Sequence, residues 1–222
     1  AEVSDGKLVV SYMHKAHDLL RVCALDGRLL QDVEMPALGS LTGLSGTPDG
    51  AECFVGYTSF LFPTQNYRLD FGTGKLVLYQ KAEIQFDPEP FMARQIFYES
   101  KDGTKIPMFL VHRWGIKLDG NNPVLLYGYG GFNISRRPRF YTSHLMWLEQ
   151  GGVYAMPNLR GGGEFGEEWH RAGMLEKKQN VFDDFIAAAE WLIENGYTRP
   201  ERLAIEGGSN GGLLTAACAL QR

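Results

Sequence analysis

One pentapeptide in the sequence has residue types and spacing that suit nucleophilic catalysis. Gly207-Gly208-Ser209-Asn210-Gly211 fits the pattern G-x-S-x-G, which places a serine on a sharp turn between a strand and a helix. Glycine tolerates the close approach of strand and helix that such a turn requires. A residue at the start of a helix also lies where backbone N–H groups stabilise developing negative charge. The pattern therefore predicts Ser209 as a nucleophile and the backbone N–H of Asn210 as a donor to an oxyanion.

The pattern is short enough to occur by chance, so its context decides between two interpretations. The apolar run Leu203-Ala204-Ile205 predicts a strand entering the turn, and the Ala/Leu-rich segment Gly211–Leu220 predicts a helix leaving it. This context favours a catalytic turn. The alternative is a glycine-rich connection that carries an idle serine.

A second oxyanion donor is expected on the loop after an earlier strand of the same sheet. The apolar run Val124–Tyr127 predicts that strand, and Gly128-Tyr129-Gly130-Gly131 follows it with a tyrosine hydroxyl available. Taken alone, the loop could equally hold packing tyrosines in a flexible turn. Its pairing with the serine pentapeptide favours the catalytic interpretation.

A third glycine cluster spans residues 158–166 and suits neither phosphate nor dinucleotide binding. Gly161, Gly163 and Gly166 match G-x-G-x-x-G, but they begin a polar loop and not a helix within a βαβ unit. The cluster also lacks the Gly-Lys-Ser/Thr ending of a phosphate loop. We therefore expect no cofactor.

The sequence supplies no obvious base for the serine. In hydrolases with this serine turn, an acid and then a histidine follow the nucleophile, yet no Asp, Glu or His follows Ser209. We expect the earlier histidines to be structural or surface residues: His14, His17, His112, His144 and His170. We likewise expect the charges at 167–168 and 176–178 to be solvated. An unassisted serine is a poor nucleophile, so we expect the isolated chain to be inactive.

The elements around these residues divide the chain into a β region and an α/β region. In residues 1–80, short apolar runs alternate with turns, and the turns near residues 27 and 73 lie roughly 46 residues apart. That spacing is typical of four-stranded propeller blades, with a small β-sandwich or meander as the alternative. Residues 81–94, with two prolines, are predicted to be a linker. Residues 95–222 alternate strands with helices, which predicts a mostly parallel sheet.

The clearest helix lies over residues 181–195. Its apolar positions form a single stripe, Asn180 is the expected N-cap, and Gly196 is expected to end it. A hairpin is predicted earlier, where 101–104 connects strands at 95–99 and 106–112.

Composition excludes several classes of function. The chain has 222 residues, is 44% hydrophobic and carries a net charge of −4 with no Lys/Arg cluster, so we expect neither nucleic acid nor membrane as a partner. No apolar run is long enough for a membrane span, and no signal peptide is visible. Three cysteines without a CxxC motif argue against structural zinc or any metal site and favour a reducing compartment. We expect the cytoplasm, or the periplasm if a signal peptide was removed upstream.

Several ordered motifs together resemble the prolyl oligopeptidase family. They are YGYGGFNIS (127–135), NLRGGGEFG (158–166), KKQNVFDDF (177–185), GGSNGG (207–212) and SKDGTKIPM (100–108). The resemblance covers essentially the whole chain and is strongest from residue 95 onward.

The resemblance implies a serine peptidase that cleaves short peptides on the carboxyl side of proline. Its expected fold is a partial α/β-hydrolase domain (95–222) joined to about two of seven β-propeller blades (1–80). Ser209 would be the nucleophile, the Tyr129 hydroxyl and Asn210 N–H the oxyanion hole, and Phe132 part of the proline pocket. The expected partners are short proline-containing peptides and the remainder of the same enzyme, whose catalytic Asp and His would lie beyond Arg222. The alternatives are a peptide macrocyclase of the same family and an inactive fragment or binding module.

Overall fold

The first part of the chain forms two antiparallel sheets of four strands each. The computed structural model describes residues 1–222, and the two sheets have the orders β1-β2-β3-β4 and β5-β6-β7-β8. The strands are β1 (Glu2–Ser4), β2 (Lys7–His14), β3 (His17–Cys23), β4 (Leu29–Val33), β5 (Gly39–Gly46), β6 (Cys53–Ser59), β7 (Gln65–Asp70) and β8 (Lys75–Gln80).

The repeat predicted from the turns is confirmed. Gly27 lies between β3 and β4 at φ 88°, and Gly74 lies between β7 and β8 at φ 67°. Glycine adopts this left-handed backbone without strain. The two turns therefore occupy the same place in successive four-stranded sheets, as blades of a propeller require.

Residues 1–87 and 137–141 group as one compact unit. Its core is built from apolar side chains of both sheets, with Val9, Leu20, Val55 and Tyr57 buried. Residues 137–141 are held there by Arg137, whose Nη1 donates to both Asp18 carboxylate oxygens at 3.0 and 2.7 Å. This return of the chain was not predicted from the sequence.

A second unit comprises residues 88–136 and 142–222 and contains a five-stranded sheet of order β13-β11-β12-β10-β9. Its strands are β9 (Phe91–Glu99), β10 (Lys105–Arg113), β11 (Val124–Tyr127), β12 (Val153–Pro157) and β13 (Leu203–Glu206). The predicted hairpin is β9–β10, and β10 also pairs antiparallel with β12. The parallel pairs are β11–β12 and β11–β13, so the sheet is mixed and the expectation of a mostly parallel sheet is wrong for its β9 and β10 side. Strand β9 begins at Phe91, inside the range 81–94 that was predicted as a linker.

Four helices accompany this sheet: α1 (Thr142–Glu149), α2 (Glu167–Arg171), α3 (Gln179–Glu194) and α4 (Asn210–Gln221). The predicted apolar stripe of α3 is confirmed, since Val181, Phe185 and Leu192 are buried in the core against the sheet. None of the four helices has the length and apolarity to span a bilayer.

The start of α3 differs from its prediction. Lys178 is the N-cap residue and Asn180 lies inside the first turn, where its Nδ2 donates to the Ala172 carbonyl at 2.9 Å. A short 3-10 turn, Leu175–Lys177, runs directly into α3, and Lys178 already has helical φ and ψ. The expectation that Asn180 caps the helix is therefore wrong. The expected end is confirmed, because Gly196 leaves the helix at φ 73°.

Candidate active site

Ser209 lies on a strained turn between β13 and α4. Its backbone has φ 55° and ψ −116°, a combination that costs free energy for a residue with a side chain. The residue is exposed, and its hydroxyl forms no hydrogen bond within residues 1–222. Strain of this kind persists only where the surrounding structure enforces it, and here it presents a free hydroxyl at the start of a helix.

Two glycines allow the strand and the helix to meet at this turn. A Cβ added at Gly207 would lie 2.4 Å from the Gly211 carbonyl oxygen, and one added at Gly211 would lie 2.5 Å from the Gly128 carbonyl oxygen. Both distances are far below van der Waals contact, so neither position accepts a side chain without movement of the backbone. Gly208 differs, because no atom lies within 4 Å of its added Cβ. Steric contact therefore requires glycine two residues before the serine, at 207, and two residues after it, at 211. It does not require glycine at 208, directly before the serine.

The tyrosine loop lies beside the serine turn because their strands are parallel neighbours. Strand β11 pairs with β13, so both chains leave the sheet at the same edge. The Gly128 N–H donates to the Glu206 carbonyl at 3.0 Å. Beyond it, Asn210 Nδ2 donates to the Tyr129 carbonyl at 2.5 Å. The structure thus brings together Tyr129 and Asn210, the two residues predicted to supply the oxyanion hole.

The Tyr129 ring is held by a cation. Tyr129 is 8% exposed, and the Arg136 guanidinium carbon lies 4.3 Å from its ring centroid and 5.3 Å from that of Tyr127. A guanidinium stacked on aromatic faces restricts the orientation of both rings. Arg136 is therefore a positioning residue for Tyr129 that the sequence analysis did not identify.

The third glycine cluster supports the tyrosine loop. Glu164 Oε1 accepts a hydrogen bond from the Arg136 N–H at 2.7 Å, and the Gly161 carbonyl accepts one from the Asn133 N–H at 3.1 Å. A Cβ at Gly163 would lie 2.6 Å from the Asn133 carbonyl oxygen, so the two loops are in direct backbone contact. Burial raises the pKa of the Glu164 carboxyl, whose Oε2 has no hydrogen-bond partner. These contacts give the cluster a scaffolding role within the unit.

Phe132 is exposed and has a left-handed backbone, as Ser209 does. It is 73% exposed and has φ 54°, and Asn133 follows at φ 56°. The Ile134 N–H donates to the Gly131 carbonyl at 3.1 Å and closes this turn. The ring is therefore directed to solvent by a backbone that is fixed at both ends, and its place in a proline pocket stays a prediction.

Lys178 is a second site residue that the sequence interpretation missed, after Arg136. Its ammonium donates to the Gly130 carbonyl at 2.8 Å and to Asn210 Oδ1 at 3.3 Å. The side chain is partly buried, and burial lowers the pKa of its ammonium. The expectation that residues 176–178 carry only solvated charges is therefore wrong for Lys178. No local pattern distinguishes it from Lys177, which is exposed.

A partly buried ion network fixes the start of the third glycine cluster to α3. Arg160 Nη2 lies 2.6 Å from Asp184 Oδ1, and Arg160 Nη1 lies 2.5 Å from Asp102 Oδ2. Asp184 is completely buried and also accepts a hydrogen bond from the Ser100 hydroxyl at 2.6 Å. The Arg160 guanidinium lowers the pKa of the Asp102 carboxyl to about 2. The network joins three segments of the second unit.

The histidines have other partners. His170 Nδ1 lies 2.8 Å from the Gly161 carbonyl oxygen, and His112 is buried, with its Nδ1 2.7 Å from the Arg113 carbonyl oxygen. Burial lowers the pKa of His112 and of His144. No described histidine forms a hydrogen bond with Ser209, and residues 1–222 contain no group of three or more His, Cys, Asp or Glu side chains arranged for a metal ion.

Two family models match the chain. The N-terminal β-propeller domain of prolyl oligopeptidase matches residues 1–82, and the prolyl oligopeptidase family matches residues 138–222. Among curated proteins, a prolyl endopeptidase of Elizabethkingia meningoseptica is 43% identical over 217 residues, which cover 98% of this chain and 31% of that protein. A prolyl oligopeptidase of Omphalotus olearius is 45% identical and covers 98% of this chain and 30% of its own length.

Solved structures give the same result. A structure from a study of two prolyl endopeptidases superposes with a TM-score of 0.90 at 50% identity, over 100% of this chain and 33% of that one. Unliganded prolyl oligopeptidase B from Galerina marginata superposes with a TM-score of 0.91 at 37% identity, over 99% of this chain and 32% of that one. The chain therefore spans about a third of the length of the relatives it matches.

Proposed function

Because the chain belongs to the prolyl oligopeptidase family, we propose that it supplies the nucleophile and oxyanion hole of a peptidase that cleaves short peptides after proline. The family is one of serine peptidases, and the proposal for this chain is carried by Ser209. Its strained backbone at φ 55° presents the hydroxyl next to the loop that bears Tyr129.

In the proposed reaction, Ser209 Oγ attacks the carbonyl carbon of the proline residue and loses its proton to a base. The carbonyl oxygen becomes an oxyanion and accepts hydrogen bonds from the Tyr129 hydroxyl and the Asn210 N–H. Collapse of the tetrahedral intermediate breaks the C–N bond, and the amine leaves with a proton from that base. Water then hydrolyses the acyl-enzyme and frees Ser209. Phe132 would offer its exposed ring to the proline side chain.

The base and its orienting acid are proposed to lie outside residues 1–222. His112 and His170 hydrogen-bond backbone carbonyls elsewhere, no histidine hydrogen-bonds Ser209, and the Ser209 hydroxyl has no partner that could take its proton. We infer that these residues alone do not turn over substrate. Labelling the 222-residue chain with a fluorophosphonate tests this inference, with near-UV circular dichroism to verify that the chain is folded. Stoichiometric labelling would contradict it and would also argue against a pure binding module.

The peptidase proposal is tested in the full-length protein, meaning residues 1–222 with any further segments of the natural polypeptide. Ser209→Ala is expected to abolish cleavage of a fluorogenic Gly-Pro reporter, because no other group can form the acyl-enzyme. The matched control is Ser143→Ala, which removes an exposed hydroxyl on α1. Wild-type activity in Ser209→Ala would refute the assignment.

A second candidate is peptide macrocyclisation. Prolyl oligopeptidase B from Galerina marginata bound to a 25-residue macrocyclisation substrate has a TM-score of 0.88 with this chain at 38% identity. In that reaction, the amino terminus of the peptide attacks the acyl-enzyme in place of water and forms a ring. Product mass separates the two outcomes, because the ring is lighter than the corresponding linear product by one water.

A further inference from the structure

The Lys178 ammonium joins the two segments that carry the proposed oxyanion donors. One of its hydrogen bonds goes to the Gly130 carbonyl, directly after Tyr129, and the other goes to the side chain of Asn210. Residues 130, 178 and 210 are distant in sequence but belong to the same compact unit. A single side chain therefore links the tyrosine loop to the first residue of α4.

The contacts of Lys178 also fix the orientation of the Asn210 carboxamide. An ammonium can only donate, so the amide oxygen must face Lys178. The NH2 group then faces the opposite way and donates to the Tyr129 carbonyl at 2.5 Å. Gly131 leaves room for this amide, because a Cβ there would lie 2.6 Å from Asn210 Nδ2. The Tyr129 carbonyl can only accept, so it requires the same orientation, and Lys178 adds a donor on the opposite side of the amide. Without Lys178, the amide oxygen would lose that donor and the link to the Gly130 carbonyl.

We propose that Lys178 is a positioning residue for the oxyanion hole, which holds the tyrosine loop and Asn210 so that their two donors face one point. This inference rests on the proposed serine peptidase activity. Lys178 touches neither substrate nor reacting atoms. It acts through the Gly130 carbonyl and the Asn210 side chain.

The surroundings of Lys178 distinguish this role from simple packing. The ammonium lies 5.9 Å from the Phe182 ring centroid and forms no ion pair with a carboxylate. A partly buried charge without a counter-ion costs stability. A methionine of similar length would fill the same space without that cost, so packing alone does not require a lysine here.

Steady-state kinetics of variants of the full-length protein test the proposal. Lys178→Met is expected to lower kcat on the Gly-Pro reporter about 10- to 100-fold, because a small displacement of catalytic groups has effects of this size. KM should change less than about twofold, since the donors act in the transition state and not on bound substrate. Lys178→Arg keeps the charge and the donors and should recover most of the activity.

The matched control is Lys177→Met, which removes the adjacent exposed lysine and should leave kcat unchanged. A second readout is the affinity for an acyl-proline boronic acid, whose tetrahedral adduct carries an oxygen at the oxyanion position. This affinity should fall in Lys178→Met by the same factor as kcat/KM. An acyl-pyrrolidine, which has the proline ring but no carbonyl group at this position, should bind as it does to the wild type.

The outcomes separate this inference from the proposed function. If Ser209→Ala stays active, the proposed function fails and the role of Lys178 fails with it. If Ser209→Ala is inactive while Lys178→Met keeps kcat and boronic acid affinity within twofold, only the inference is overturned. If Lys178→Met does not fold, Lys178→Gln replaces it, and equal activity of Lys178→Gln and Lys178→Arg would overturn the proposal.

Discussion

Gly211 is the position where the usual effect of replacing glycine in a helix should be reversed. It lies in the first turn of α4, and Gly→Ala in a helix ordinarily adds up to about 1 kcal/mol of stability. Here the added methyl group would lie 2.5 Å from the Gly128 carbonyl oxygen, about 1 Å inside ordinary contact. Overpacking of this kind costs about 1–3 kcal/mol, so we expect a net loss of roughly 1–2 kcal/mol. The thermal midpoint of the full-length Gly211→Ala protein should fall by about 2–8 °C.

The same substitution should also impair catalysis, because Gly128 directly precedes Tyr129. Movement of the tyrosine loop by about 1 Å is expected to lower kcat/KM about 100-fold on the Gly-Pro reporter. Gly212→Ala is the matched control on the next residue of α4, where the nearest atom would be 3.7 Å away. It should raise the thermal midpoint slightly and leave kcat/KM unchanged. If Gly211→Ala behaved like Gly212→Ala, the close contact between α4 and the tyrosine loop would be refuted.

Three further predictions concern other side chains. Tyr129→Phe removes one proposed oxyanion donor and should lower kcat about 100- to 1,000-fold with little change in KM, measured by steady-state kinetics; an unchanged kcat would exclude the hydroxyl as a donor. Phe132→Ala should raise KM for proline substrates roughly 10-fold without changing the thermal midpoint, since the ring is exposed; a lower midpoint with normal KM would contradict the pocket role. The Asp102 pKa is depressed from 3.8 to about 2, so its contribution to stability is present above about pH 4 and lost as pH falls through 2. Between pH 4 and pH 2, the thermal midpoint of Asp102→Asn should therefore fall less than that of the wild type. An equal fall in the two proteins would argue against the pair with Arg160.

The features that the sequence predicted well are those with local physical requirements. The repeat in residues 1–80 was visible because each turn needs residues such as Gly27 and Gly74 that adopt left-handed backbone. The serine turn was visible because close backbone contact restricts positions 207 and 211 to glycine. Both signals lie within a few residues of the element that they define.

The features that the sequence did not predict depend on contacts between distant residues. Lys178 and Lys177 are adjacent and chemically identical, and only the approach of residues 130 and 210 gives Lys178 its role. Strand β1 has three residues, too few for a periodic pattern, and is defined by pairing with β2. The hydrogen bonds of Arg137 to Asp18 likewise join segments with no pattern in common.

The most direct test of the central claim is to locate the covalent adduct of a fluorophosphonate on the full-length protein by tandem mass spectrometry. One adduct is expected, on the hydroxyl of Ser209, because that side chain alone combines exposure, a strained turn and a place beside the proposed oxyanion donors. An adduct on another residue, or loss of reporter cleavage without any adduct at Ser209, would contradict the assignment of the nucleophile.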